Sequence, residues 1–93
     1  MKKIFGVFDV KAGHVVRPFF DESNVNAIRG FTIAANEPKG NYFQFPDDFA
    51  LVELGSFDAS TGTISPLERM NFLCTARELL KPNASEAQEV FKQ

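Results

Sequence analysis

The sequence predicts an α+β domain: a small antiparallel sheet of two β-hairpins, one long helix packed on one face, and a mixed C-terminus. Three observations carry this expectation. Apolar, β-branched and aromatic runs occur in two pairs, each joined by a short turn ending in Gly, at Lys11–Gly13 and at Asp58–Gly62. Between the pairs, Val25, Ile28, Phe31 and Ala35 recur at helical spacing. At 93 residues, the chain is long enough for one modest core. The domain is expected over residues 1–81, with 82–93 as a polar tail, either a short helix capped by Ser85 or frayed.

Each element has a local reason. Ile4–Val10 reads as a strand, with Ile4, Gly6, Phe8 and Val10 on one face and Phe5, Val7 and Asp9 on the other. Apolar residues on both faces suggest a central or covered strand. His14–Phe20 returns as the second strand; Pro18 cannot donate to a ladder, so this strand is at an edge or ends there. Asp21 or Ser23 can cap the helix that follows, and Pro38 stops it. Gly30 weakens this helix, by about 1 kcal/mol relative to Ala, and suggests a close approach to a strand. Asn41–Pro46 fits an aromatic loop or short strand. Phe49–Phe57 alternates as the third strand, with Phe49, Leu51 and Glu53 in phase, and Thr63–Leu67 is the fourth. Within Glu68–Lys81, the first half fits a short strand and Thr75–Lys81 a helix.

Composition excludes several classes. The single Cys leaves no partner for an intrachain disulfide, and one His with one Cys cannot close a structural zinc site. No apolar run approaches the ~20 residues of a membrane span, no signal-peptide pattern is visible, and no membrane partner is expected. Neither a Gly-rich phosphate loop nor a catalytic constellation occurs, so no enzyme, cofactor or metal is expected. His14 reads as solvent-facing, Cys74 as a small buried hydrophobe, and Asp47 and Asp48 as solvated turn residues.

Charge and aromatics are the features with functional content. The formal charge is −2, but residues 1–40 carry six bases and four acids, and the remainder four bases and eight acids. Eleven Phe and one Tyr stand in a chain with no Trp. Single-stranded nucleic acid is held by bases stacked on aromatic rings, each contributing ~1–3 kcal/mol, and by cations that track the phosphates. The candidates are Lys2, Lys3, Lys11, Arg17 and Arg29 for phosphates, and Phe19, Tyr42 and Phe43 for bases. Phe8, Phe31, Phe49 and Phe57 are expected in the core. A sheet with a helix on one side would also expose several Phe on the other, to be covered by self-association or by bases.

The segments IFGVFDVKAG, RPFFDESNVNAIRGFTIAANEP, FQFPDDFALVELGSFDASTGTI and NFLCTARELL resemble the small nonstructural protein of gokushoviruses, single-stranded DNA phages of the Microviridae. These stretches span about residues 3–80, and PFF followed by an acidic cap and NAIRGF is the most distinctive phrase. The resemblance implies a non-enzymatic replication or packaging factor, made in the host cytoplasm and associated with DNA. It assigns no binding residue.

The functional expectation is therefore a protein that binds single-stranded DNA during genome replication or packaging, working as a homodimer or larger oligomer. The alternative is an adaptor between phage replication enzyme and capsid precursor, without direct DNA contact. That reading draws on the acidic C-terminal half.

Overall fold

In the computed structural model, which describes residues 1–82, four strands form one antiparallel sheet in the order β2-β1-β3-β4. The strands are β1 (Lys2–Asp9), β2 (His14–Asp21), β3 (Phe49–Asp58) and β4 (Thr63–Thr75). Three helices accompany them: α1 (Asn24–Ala35), α2 (Asn41–Gln44) and α3 (Ala76–Leu79), with a 3-10 turn at Pro46–Asp48.

Both predicted hairpins are present, and the direct pairing of β1 with β3 joins them. β1 is therefore central and β2, with Pro18, lies at an edge. Gly13 and Gly62 take φ of 78° and 75°, the left-handed geometry that closes the two turns. In the second turn Asp58 Oδ1 accepts from the Ser60 backbone N–H (3.0 Å) and hydroxyl (2.7 Å), and these bonds hold its carboxyl below the usual range.

The helical part differs from the expectation of one long helix. α1 is 12 residues, and α2 and α3 are single turns of 4 residues each. Ser23 caps α1, its hydroxyl accepting from the Asn26 N–H at 3.1 Å. Asn41–Gln44 is a helical turn rather than a loop or strand, and Pro46, fixed in φ and without a donor, starts the 3-10 turn that follows it. β4 continues from the expected fourth strand, Thr63–Leu67, into the stretch after Glu68 that fitted a short strand, making one strand because β3 supplies partners as far as Thr75. The expected helix over Thr75–Lys81 is the single turn α3, closed by a capping box. Thr75 Oγ1 accepts from Glu78 N–H (3.3 Å), and the Thr75 N–H donates to Glu78 Oε1 (2.7 Å). The proposed Ser85 cap lies outside the described residues.

The core forms between α1 and one face of the sheet. Phe5 and Val7 from β1, Phe49 and Leu51 from β3, Ala27, Phe31 and Ala35 from α1, and Ala76 from α3 make one buried cluster. Small alanines let α1 approach the strands closely, and the Phe rings fill the remaining volume. Phe5 stacks on Phe19 (5.7 Å between centroids), and Tyr42 packs between Phe31 (5.3 Å) and Phe49 (4.9 Å). Asn36 ties the end of α1 to the end of α3: its Nδ2 donates to Leu79 O (2.9 Å), and its Oδ1 accepts from Lys81 N–H (2.9 Å).

Strand register is irregular at defined places. Val16 is an extra residue in β2, between the pairs Val7↔Arg17 and Phe8↔Val15. In the β3–β4 pair, Leu67–Met70 stand opposite the single residue Leu54.

Two glycines have opposite surroundings. A Cβ on buried Gly55 would meet the backbone carbonyl of Ser65 and, at 2.9 Å, the Cα of Pro66. Gly30 has nothing within 4 Å of that position, so the close approach expected there is absent. Gly55→Ala is expected to lower unfolding stability by roughly 1–3 kcal/mol, and Gly30→Ala to raise it by about 1 kcal/mol. Urea denaturation of both variants measures the two shifts.

Candidate nucleic-acid interface

Cross-strand pairing divides the sheet into two unlike faces. On the helix side lie Lys3, Asp9, Arg17, Asp21, Glu53 and Asp58, in register with Phe5, Val7, Phe19, Phe49 and Leu51. On the other face Ile4, Phe8, Phe20, Val52, Phe57, Ile64 and Phe72 share one register, and Lys2 is its sole charged residue at a paired position.

Arg17, Phe19 and Tyr42 converge. β2 carries Arg17 and Phe19 two residues apart on the helix side. Tyr42 reaches the same place from α2. Together with Val7, Gly30 and Ala34 they line a groove of about 280 Å³ between β2 and α1. That volume is near the lower edge of small-molecule pockets, ~300 Å³, and suits a single planar ring. A second groove of about 290 Å³ adjoins it, again lined by Arg17 and Tyr42, with Glu37 and Asn41. Asp21 borders the first groove, so its charge is mixed. Phe19 and Tyr42 are half-buried, each with one part of its ring in the core and another in the groove.

The remaining candidates do not line this groove. Lys11 is exposed in the β1–β2 turn, Arg29 is exposed on α1 beside Gly30, and Phe43 is exposed on α2 beside Tyr42. Lys2 and Lys3 are already partnered. Lys2 lies 3.8 Å from Glu22, and Lys3 Nζ donates to Asn24 Oδ1 (3.0 Å) and pairs with Glu53 at 3.5 Å. Among the described residues, no ion pair occupies Lys11, Arg17 or Arg29. Because adjacent strand residues face opposite ways, Lys2 and Lys3 do not serve one surface.

Two aromatic pairs on the uncovered face were not in the predicted set of contacts. Phe8 meets Phe72 edge to face (5.4 Å between centroids, 73°), and Phe20 stacks on Phe57 (5.5 Å, 15°). Phe8 and Phe57 were expected in the core, but they lie away from it, half-exposed. Their signal in the sequence was phase: Phe8 is out of step with Phe5 and Val7, and Phe20 is out of step with Phe19.

His14 is exposed, and no group of three metal-ligating side chains occurs among the described residues. Cys74 is half-buried, and desolvation together with the nearby Glu78 carboxylate pushes its thiol up, away from nucleophilic thiolate. Asp47 is engaged rather than merely solvated: Arg77 donates to it from Nε and, at 3.0 Å, from Nη2. No described helix is long and apolar enough to cross a membrane.

A family model described as Phage ORF5 protein matches residues 2–79. The chain belongs to this family and is a bacteriophage protein. No curated protein and no solved structure matches it.

The hydrogen bonds from Arg77 hold the Asp47 carboxyl below its ordinary value of 3.8. A depressed folded-state value means that the pair's stabilisation is complete above the unfolded value and is lost as pH falls through the folded one. The melting-temperature difference between the protein and Asp47→Asn is therefore expected at neutral pH and should shrink below about pH 4. Thermal melts from pH 7 to pH 3 check it.

Proposed function

We propose that this phage protein is a non-enzymatic single-stranded DNA-binding factor of a gokushovirus, acting in genome replication or packaging in the host cytoplasm. The observation that supports this reading best is the meeting of Arg17 and Phe19 of β2 with Tyr42, more than twenty residues further along the chain, in one open groove. An unpaired guanidinium beside two partly open rings matches the needs of a nucleotide: a cation for phosphate, an apolar face for the base.

The β1–β2 hairpin extends the contact. Lys3 stands near one end, Arg17 in the middle of β2, and Lys11 at the turn. From Lys3 to Asp9 the strand spans about 20 Å at ~3.3 Å per residue, with Lys11 just beyond in the turn. Arg29 on α1 and Phe43 on α2 are exposed and adjoin the groove residues Gly30 and Tyr42 in the chain. The net charge of −2 makes binding depend on these local cations.

Fluorescence anisotropy with a labelled single-stranded oligonucleotide tests the proposal. Binding is expected at ~50 mM salt, weakening as salt rises, with duplex bound less well. Arg17→Gln should weaken binding and reduce the salt slope by about 0.7, the loss of one phosphate contact on a single strand. No binding at low salt, or an unchanged Arg17→Gln variant, overturns it and leaves the adaptor reading.

A further inference from the structure

We infer that the uncovered face of the sheet is the seat of a second copy of this chain, packed face to face about a twofold axis. The exposed side of a one-layer antiparallel sheet ordinarily alternates to polar residues. Here the opposite holds. Phe20 is 55% exposed, Phe72 53% and Ile64 61%, and they continue the half-exposed Ile4, Phe8 and Phe57 into one apolar surface.

Charge distinguishes the occupant. Lys2 is the one charged residue at a paired position on this face, and it lies at the end of β1, next to Glu22. A nucleic-acid strand laid across the paired positions would find a single cation for its phosphates, and the exposed Glu68 and Arg69 in the unpaired stretch of β4 add one charge of each sign. A second copy meets no such requirement: the face is neutral over most of its area and complementary to itself, as an isologous contact needs.

The area suffices. Four strands at ~4.8 Å spacing and about seven residues at ~3.3 Å each present roughly 19 by 23 Å per copy in projection. The accessible area of protruding side chains exceeds projection, so two faces together approach the ~1,200 Å² of a small specific interface.

The sheet edges favour this mode over strand addition. On β2, Pro18 and the extra residue Val16 interrupt the free edge. On β4, Pro66 and the looped-out Leu67–Met70 do the same. Face-to-face packing also leaves α1 and the Arg17 groove on the outside of each copy. The inference therefore stands independently of the DNA reading.

Sedimentation velocity on the full chain across a concentration series tests it. The expected species has twice the 10.4 kDa chain mass. Phe20→Asp and Phe72→Asp should each raise the dimer dissociation constant at least about 30-fold, as for hot-spot residues, with circular dichroism unchanged. Should either variant fail to fold, Ile64→Lys at a more exposed position reports on the same face. Arg17→Gln should leave the mass unchanged. A monomer up to about 100 µM, or a dimer insensitive to all three substitutions, overturns the inference. So does a monomer whose DNA affinity falls with Phe20→Asp and Phe72→Asp, since the face would then hold bases.

Discussion

The antiparallel pairing of β1 with β3 is the contact on which the rest of the structure depends. Each hairpin is local, closed by its own glycine turn, and a lone two-stranded hairpin is at best marginally stable in water. Joining β1 to β3 makes a four-stranded sheet and brings Phe5 and Val7 beside Phe49 and Leu51. Only this combined surface is wide enough for α1 to cover. The pairing spans more than forty residues, so its loop-closure cost must be offset by burial of the core it creates.

The consequence is a sheet with two characters. α1 seals one side, and the charged strand residues sit around the margins of that sealed layer. The other side receives no described helix and carries nearly all apolar residues at its paired positions. Gly6 shows how closely that side is packed within itself. A Cβ there would stand 2.5 Å from Val15 Cγ1 and 3.2 Å from Leu54 Cδ1, so the absence of a side chain lets neighbouring strands close over β1. The face is a built hydrophobic surface, with two aromatic pairs arranged across it.

A division of labour follows for a phage protein of this size. Nucleic-acid contact is proposed for the helix side, where Arg17, Phe19 and Tyr42 form a groove. Self-association is proposed for the opposite face, where charge is nearly absent. The two surfaces lie back to back, so neither excludes the other. A dimer built this way would present two grooves on its outer surfaces and increase avidity for a continuous strand.

Turn chemistry and period alone determined the two hairpins, the helix α1 and the phase of Phe49 and Leu51, and narrowed the cap of α1 to Asp21 or Ser23 and β2 to an edge strand or one that ends at Pro18. These are local properties, set by Gly13, Gly62, Pro18 and the spacing of apolar residues. Tertiary structure decided the rest. The length of β4 depended on partners supplied by β3, and the helical turn at Asn41–Gln44 on packing of Tyr42 between Phe31 and Phe49. Period 2 separates Phe19 from Phe20 and Lys2 from Lys3, yet it does not say which side a helix will cover. That choice depends on long-range burial, and it is what turned Phe8 and Phe57 outward and brought Arg17 and Tyr42 together.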